Sequence, residues 1–119
     1  MMTTDARFPL QCRIRRVGDF QRAYRRRSSA ADGQIVVFGY PNGSAYPRLG
    51  ISASRRLGGA VVRNRWKRLL REAFRLTLAQ LPEGIDLIVI PRPNADPSLA
   101  SLLESLPSLA ARVARKIRQ

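Results

Sequence analysis

Arg55, Arg56, Arg63, Arg65, Lys67, Arg68 and Arg71 lie in one short stretch that contains no acidic residue. Guanidinium groups fork onto phosphate oxygens through paired N–H bonds, so this density of Arg suits capture of a polyanion. Bond-making options are narrow. The sequence has no His and a single cysteine, Cys12, which excludes a His-based catalytic dyad and a His/Cys zinc site. The eight acids are dispersed. A protein-only, metal-dependent nuclease would need the fold to gather Asp19, Asp32 and Asp86.

The spacing of apolar residues shows what holds these cations. Val62, Trp66, Leu69, Ala73 and Leu76 recur at helical intervals, with Leu70 and Phe74 widening the stripe, and predict a helix over about residues 60–78. Trp66 belongs to its core face. At about 100° per residue, Asn64, Lys67, Arg68, Arg71 and Arg75 fall on the far side, flanked by Arg63 and Arg65. A solvated helix face ordinarily mixes Glu with Lys, because i,i+4 pairs of opposite sign stabilise it; this one carries nearly one sign. The helix start sharpens the anomaly. Helix N-termini hold unpaired N–H groups and partial positive charge, which favour acids. Here Arg63 and Arg65 occupy the first turns, with Arg55 and Arg56 just before. A bound anion such as phosphate satisfies both the N–H groups and the guanidinium groups. Asn64 is open to two readings, a donor to phosphate or a 2′-hydroxyl, or a local cap.

Other elements follow from local pattern. Residues 1–12 read as a loosely ordered arm, and 17–27 as a short helix with Asp19 at its cap and Phe20 and Tyr24 on one face. Residues 28–33 are small and polar, a loop signal. Residues 34–40 alternate as a strand, with Ile35 and Val37 on one face and Val36, Phe38 and Tyr40 on the other. After a turn at 41–44, residues 48–54 form a second strand, and the two suggest an antiparallel pair. Residues 55–59 are a basic loop with two glycines. Residues 85–90 are apolar almost throughout and predict a strand covered on both faces. Asp96-Pro97 should cap a last helix carrying Leu99, Leu102, Leu103 and Leu106, which Pro107 should kink or split before Leu109, Val113 and Ile117. The expected order is α-β-β-α-β-α in one domain spanning 1–119, a sheet covered by helices, with 94–119 as its C-terminal helical region.

Composition agrees with one basic domain. The 119 residues are 45% hydrophobic and carry a formal charge of +14, which calls for a polyanionic partner. Seventeen of the 22 basic residues lie in 1–75, against Asp5, Asp19, Asp32 and Glu72, so the binding surface should come from that part. Twenty of the 22 are Arg, which suits RNA and equally suits codon bias in a GC-rich genome. A lone cysteine fits a reducing cytosol. No apolar run reaches the ~18 residues of a membrane span, and the start lacks the apolar core of a signal peptide. The expected location is the cytoplasm.

Arg63-Asn64-Arg65-x-Lys67-Arg68-x-x-Arg71 resembles the RNR signature of the bacterial ribonuclease P protein subunit. The flanking Leu49-Gly50-Ile51-Ser52-Ala53-Ser54-Arg55-Arg56 and Gly59-Ala60-Val61-Val62 are similar to the strand and loop that precede it there. Asp19-Phe20-Gln21-Arg22 and the strand at 85–90 fit as well. The likeness covers roughly residues 8–93, and its core at 49–74 is highly specific. Departures are Pro107, Trp66 in place of an aliphatic residue, Gly59 where Asn is common, and a tail after Arg92 that matches nothing specific.

The resemblance implies an α+β fold, an α/β sandwich like the second domain of ribosomal protein S5, with a left-handed crossover. It implies a ribonucleoprotein endoribonuclease that removes the 5′ leader of precursor tRNA. Its large RNA performs the hydrolysis with Mg2+, and the protein itself binds no cofactor. The protein partners would be ribonuclease P RNA and precursor tRNA, with no membrane and no DNA. Catalytic RNA would meet Arg55, Arg56, Arg63, Asn64, Arg65, Lys67, Arg68, Arg71 and Arg75. Carried over by position, a cleft for the single-stranded leader would use Phe20, Tyr24 and Phe38, with Arg13, Arg15, Arg16 and Arg22 near its backbone. By their residue types alone, these aromatics could equally pack the first helix on the sheet. Competing readings are a general or ribosome-associated RNA-binding module and a DNA-binding domain. The latter lacks the turn and helix that should precede a recognition helix.

Overall fold

Strand β4 (Ile85–Pro91) holds the architecture together. Ile85, Leu87, Ile88 and Val89 are buried in it, and a strand apolar on both faces belongs in the middle of a sheet. In the computed structural model, which describes residues 28–118, β4 lies between β2 (Ile35–Pro41) and β3 (Arg48–Ile51). It runs antiparallel to β2 and parallel to β3. The expected direct pairing of β2 with β3 is therefore wrong: both border the more apolar strand. The strand expected over 48–54 ends at Ile51, although Ser52 N–H still donates to Val89 O.

The expected loop at 28–33 is also corrected. Ser28–Ala31 form an edge strand, β1, paired antiparallel with β2. Small polar residues carry little strand propensity, and here the ladder to β2 overrides it. The turn that follows is tied by Asp32, whose Oδ1 accepts from the N–H groups of Gln34 and Ile35. The sheet order is β1-β2-β4-β3. Over the described residues the element order is β-β-β-α-β-α; the helix expected at 17–27 and the arm at 1–12 lie outside them.

Two helices cover one face of this mixed sheet, giving an α+β fold. Helix α1 (Ala60–Thr77) crosses from β3 to β4, and α2 (Leu99–Ile117) packs on α1, β1 and β2. The core between them and the sheet includes Ile35, Val37, Leu49, Leu87, Trp66, Phe74, Leu102 and Val113. Gly39 is buried here, where an added Cβ would overlap a Val113 methyl, so α2 lies close on β2. The opposite face carries Phe38, Tyr40 and Ile90 around the fully buried Ile88.

The last helix differs from expectation at its cap, and of the two effects expected of Pro107 a split is absent. Ser98, not Asp96, caps it: the Ser98 hydroxyl accepts from Ser101 N–H at 3.1 Å, and the helix begins at Leu99. Pro107 does not split it; the helix runs unbroken to Ile117. Proline already has a helical φ, and what it removes is the N–H that would bond to the carbonyl of Leu103. Leu102 and Leu106 before it, and Leu109, Ala110 and Val113 beyond it, are buried in the same core, which anchors both halves.

Candidate nucleic-acid interface

The basic face is built on α1, and the protein buries a different stripe of that helix than spacing implied. Trp66, Leu70, Ala73, Phe74 and Thr77 are buried. Val62 and Leu76, taken as stripe members, are 42% and 47% exposed, and Leu69 is only partly buried. The core face is rotated toward Leu70 and Thr77, whose hydroxyl donates to Ala73 O at 2.7 Å and so enters the interior satisfied. Trp66 is core, as expected, at 1% exposure.

Rotation redistributes the cations. Asn64, Arg68 and Arg71 lie exposed opposite the core. Lys67 moves to one flank and is half-buried, and Arg65 stands exposed on the other. Arg63 falls between Leu70 and Phe74 on the helical wheel. It is half-buried, with its Nε out of solvent and lacking a hydrogen-bond partner. Arg55 and Arg56 are exposed on a short 3-10 turn, Arg55–Leu57, that replaces the expected loop. Ser54 caps this turn by accepting from Arg56 N–H at 3.3 Å. Helix α1 itself starts at Ala60, after Gly59 at the cap position, with no side-chain cap and no acid in its first turn. Its first intrahelical bond is Arg63 N–H to Gly59 O, which leaves the preceding N–H groups free of helix partners.

Among the described residues, pairing with carboxylates touches two of the nine expected contacts. Arg75 is bound through Nε and Nη2 to Glu72. That hydrogen bond holds the Glu72 carboxyl below its ordinary range and raises Arg75. Arg65 makes a long 3.9 Å contact to the almost fully exposed Asp96 and donates to Pro97 O at 3.2 Å. Arg55, Arg56, Arg63, Lys67, Arg68 and Arg71 form no ion pair among the described residues.

Of the expected leader cleft, only Phe38 lies within the described residues. It is half-buried on the sheet face away from the helices, beside Ile88. Arg13, Arg15, Arg16, Phe20, Arg22 and Tyr24 lie outside them. Sequence reasoning missed the neighbours on that face. Asp86 is 1% exposed in β4, gripped by Arg48 Nε and Nη2 at 2.6 Å each and by Asn42 Nδ2 at 2.8 Å. The register Arg48↔Asp86 sets the pair side by side across the parallel ladder. A lone acid in an apolar strand was the available signal, because a buried carboxylate needs a cation.

The same geometry disposes of a carboxylate cluster from Asp32 and Asp86. Asp86 stands opposite Tyr40, whereas Asp32 precedes Ile35 at the other end of β2. Five residues of strand, ~17 Å, separate those ends. Asp19 lies outside the described residues.

The family profile described as Ribonuclease P matches residues 8–114. The chain belongs to the ribonuclease P protein family. A ribonuclease P protein component from Brevibacillus brevis is 41% identical over 93 residues, covering 77% of this chain and 74% of that one. One from Staphylococcus haemolyticus is 45% identical over 83 residues, covering 70% and 72%. Among solved structures, Staphylococcus aureus RNase P protein is 38% identical with a TM-score of 0.74, covering 87% of this chain and 94% of that one. RNase P protein from Thermotoga maritima is 34% identical with a TM-score of 0.76, covering 85% and 96%. The family match runs through most of α2, so the likeness extends past Arg92, where sequence reading had ended it. Membership makes the chain the protein component of a tRNA-processing ribonucleoprotein, with an RNA partner. No described helix is long and apolar enough to cross a membrane.

Proposed function

We propose that this ribonuclease P protein binds the catalytic RNA through α1 and the 3-10 turn before it, and binds the 5′ leader of precursor tRNA on the opposite sheet face. The observation that carries the reading is the set of cations at an uncapped helix start that have no carboxylate partner among the described residues. Compacting such a surface is unfavourable in isolation, and phosphates relieve it. Arg55, Arg56, Arg68 and Arg71 take phosphate oxygens. Arg63 and Lys67 reach along one flank and Arg65 along the other. Asn64 donates to phosphate or a 2′-hydroxyl. Arg75, already held by Glu72, contributes least.

The chain's role is positioning and charge neutralisation, and hydrolysis belongs to the RNA subunit with its Mg2+. In the leader cleft, Phe38, Phe20 and Tyr24 stack unpaired bases at about 1–3 kcal/mol per base with little sequence preference. Arg13, Arg15, Arg16 and Arg22 neutralise the leader backbone. Contacts to the leader favour precursor over mature tRNA, and the site of action is the cytoplasm.

The test mixes the protein with ribonuclease P RNA and precursor tRNA at low Mg2+ and follows leader removal. Faster removal than with RNA alone, together with tighter binding of precursor than of mature tRNA, is the expected result. No gain over RNA alone refutes the proposal.

A further inference from the structure

A groove of about 310 Å³ opens between the start of α1 and the segment that joins β4 to α2. That volume is at the lower end of small-molecule sites, ~300–1,000 Å³. Its apolar wall is Leu57, Val61, Val62 and Trp66, and Arg65 and Arg92 stand on it as cations. The acid among its lining residues is Asp96, which is almost fully exposed and 3.9 Å from Arg65.

Val61 is the anomaly. It is 84% exposed, and a β-branched residue in an exposed helical turn has poorer helix propensity than Ala while burying nothing. Val62 does have a packing role. Gly58 adopts φ +138°, and a Cβ there would come within 3.2 Å of Val62, so Val62 closes over Gly58. Val61 is left standing at the groove. An apolar wall that shares its groove with two arginines matches a ligand with a flat apolar face and an attached anion. Paired RNA offers its phosphates but keeps its bases stacked inside. An unpaired nucleotide offers both.

We infer that this groove receives one unpaired nucleotide of the RNA partner, its base against Val61 and Val62 and its phosphate between Arg65 and Arg92. The inference rests on the proposed RNA contact of α1 and deepens it, adding an apolar base site to a phosphate-binding face.

Trp66 is the chain's only tryptophan and lines the groove, so its fluorescence reports occupancy. The experiment titrates the full chain with ribonuclease P RNA, single-stranded oligoadenylate and a blunt RNA duplex. The two RNAs with unpaired bases should quench Trp66, and the duplex should bind without quenching. Val61→Ser should weaken binding to ribonuclease P RNA about tenfold or more, the value of one buried Val side chain, while the dependence of log affinity on log salt keeps its slope. Arg68→Ala should instead lower that slope by about one. If Arg68→Ala weakens binding and Val61→Ser does not, the groove inference falls while the proposed function stands. If neither does, the RNA contact of α1 falls with it. A protein that sediments as a dimer without RNA, and as a monomer after Val61→Ser, would assign the groove to a second copy and overturn the inference.

Discussion

Arg71 and Arg75 sit one turn apart on α1, yet they present different charges to a partner. Arg71 is exposed without an ion pair among the described residues, and Arg75 spends its guanidinium on Glu72. Replacing Arg71 with Ala should therefore weaken binding to ribonuclease P RNA and remove about one unit of log–log salt slope. Arg75→Ala should cost less than half as much. Filter binding over about 50–200 mM salt separates the two; an equal or larger loss for Arg75 would mean that Glu72 releases it when RNA binds. Asp32 makes a second, independent prediction. Burial alone would raise its pKa. Hydrogen bonds from Ser105 and from the N–H groups of Gln34 and Ile35, with the charge of Arg92, outweigh burial and leave it below 3.8. A carboxyl depressed on folding stabilises the protein above its unfolded pKa and loses that contribution as pH falls through the folded value. Melting temperature should drop on acidification below about pH 4, and the drop should be shallower in Asp32→Asn. At this scale, the sign pattern of the arginines was legible in sequence. The pairing of Arg75 was not read from it, although Glu72 stood three residues away. Arg63's approach to the core could not be read, because it depends on which way α1 is rotated.

At the scale of elements, the types of β2, β4, α1 and α2 were legible because each carries a strong period or a long apolar run. Their partners were not. Alternation shows which residues of β3 share a face, but not that β4 comes between it and β2; that depends on burying the most apolar strand. The stripe on α1 was misplaced by part of a turn because Val62 and Leu76 match the helical period, while burial depends on where α2 lies. Strand β1 had no local signal and exists through its ladder to β2. Pro107 supplies the prediction here. An interior proline costs a helix ~3 kcal/mol or more, and Pro107 is only half-buried. Pro107→Ala restores a donor for Leu103 O and should stabilise the protein by about 1–3 kcal/mol in denaturant unfolding. Unchanged or lower stability would show that the helix bends at this point to fit the core.

At the scale of the whole molecule, the two faces of the sheet differ. Helices α1 and α2 cover one side of the sheet, α1 turns its cations outward, and Phe38 lies on the other side near Ile88. Under the proposed function, one small domain meets a large RNA and a single-stranded leader on different surfaces. This division was only partly legible, since charge asymmetry along the chain pointed to residues 1–75 but not to faces. The central claim is that Arg55, Arg56, Arg63, Lys67, Arg68 and Arg71, which form no ion pair among the described residues, serve RNA phosphates. Its most direct test is the affinity of the intact protein for ribonuclease P RNA as a function of salt. Six phosphate contacts predict a log–log slope of about −4 to −5; a slope between zero and about −1 would show that these side chains are merely solvated, and would contradict the claim.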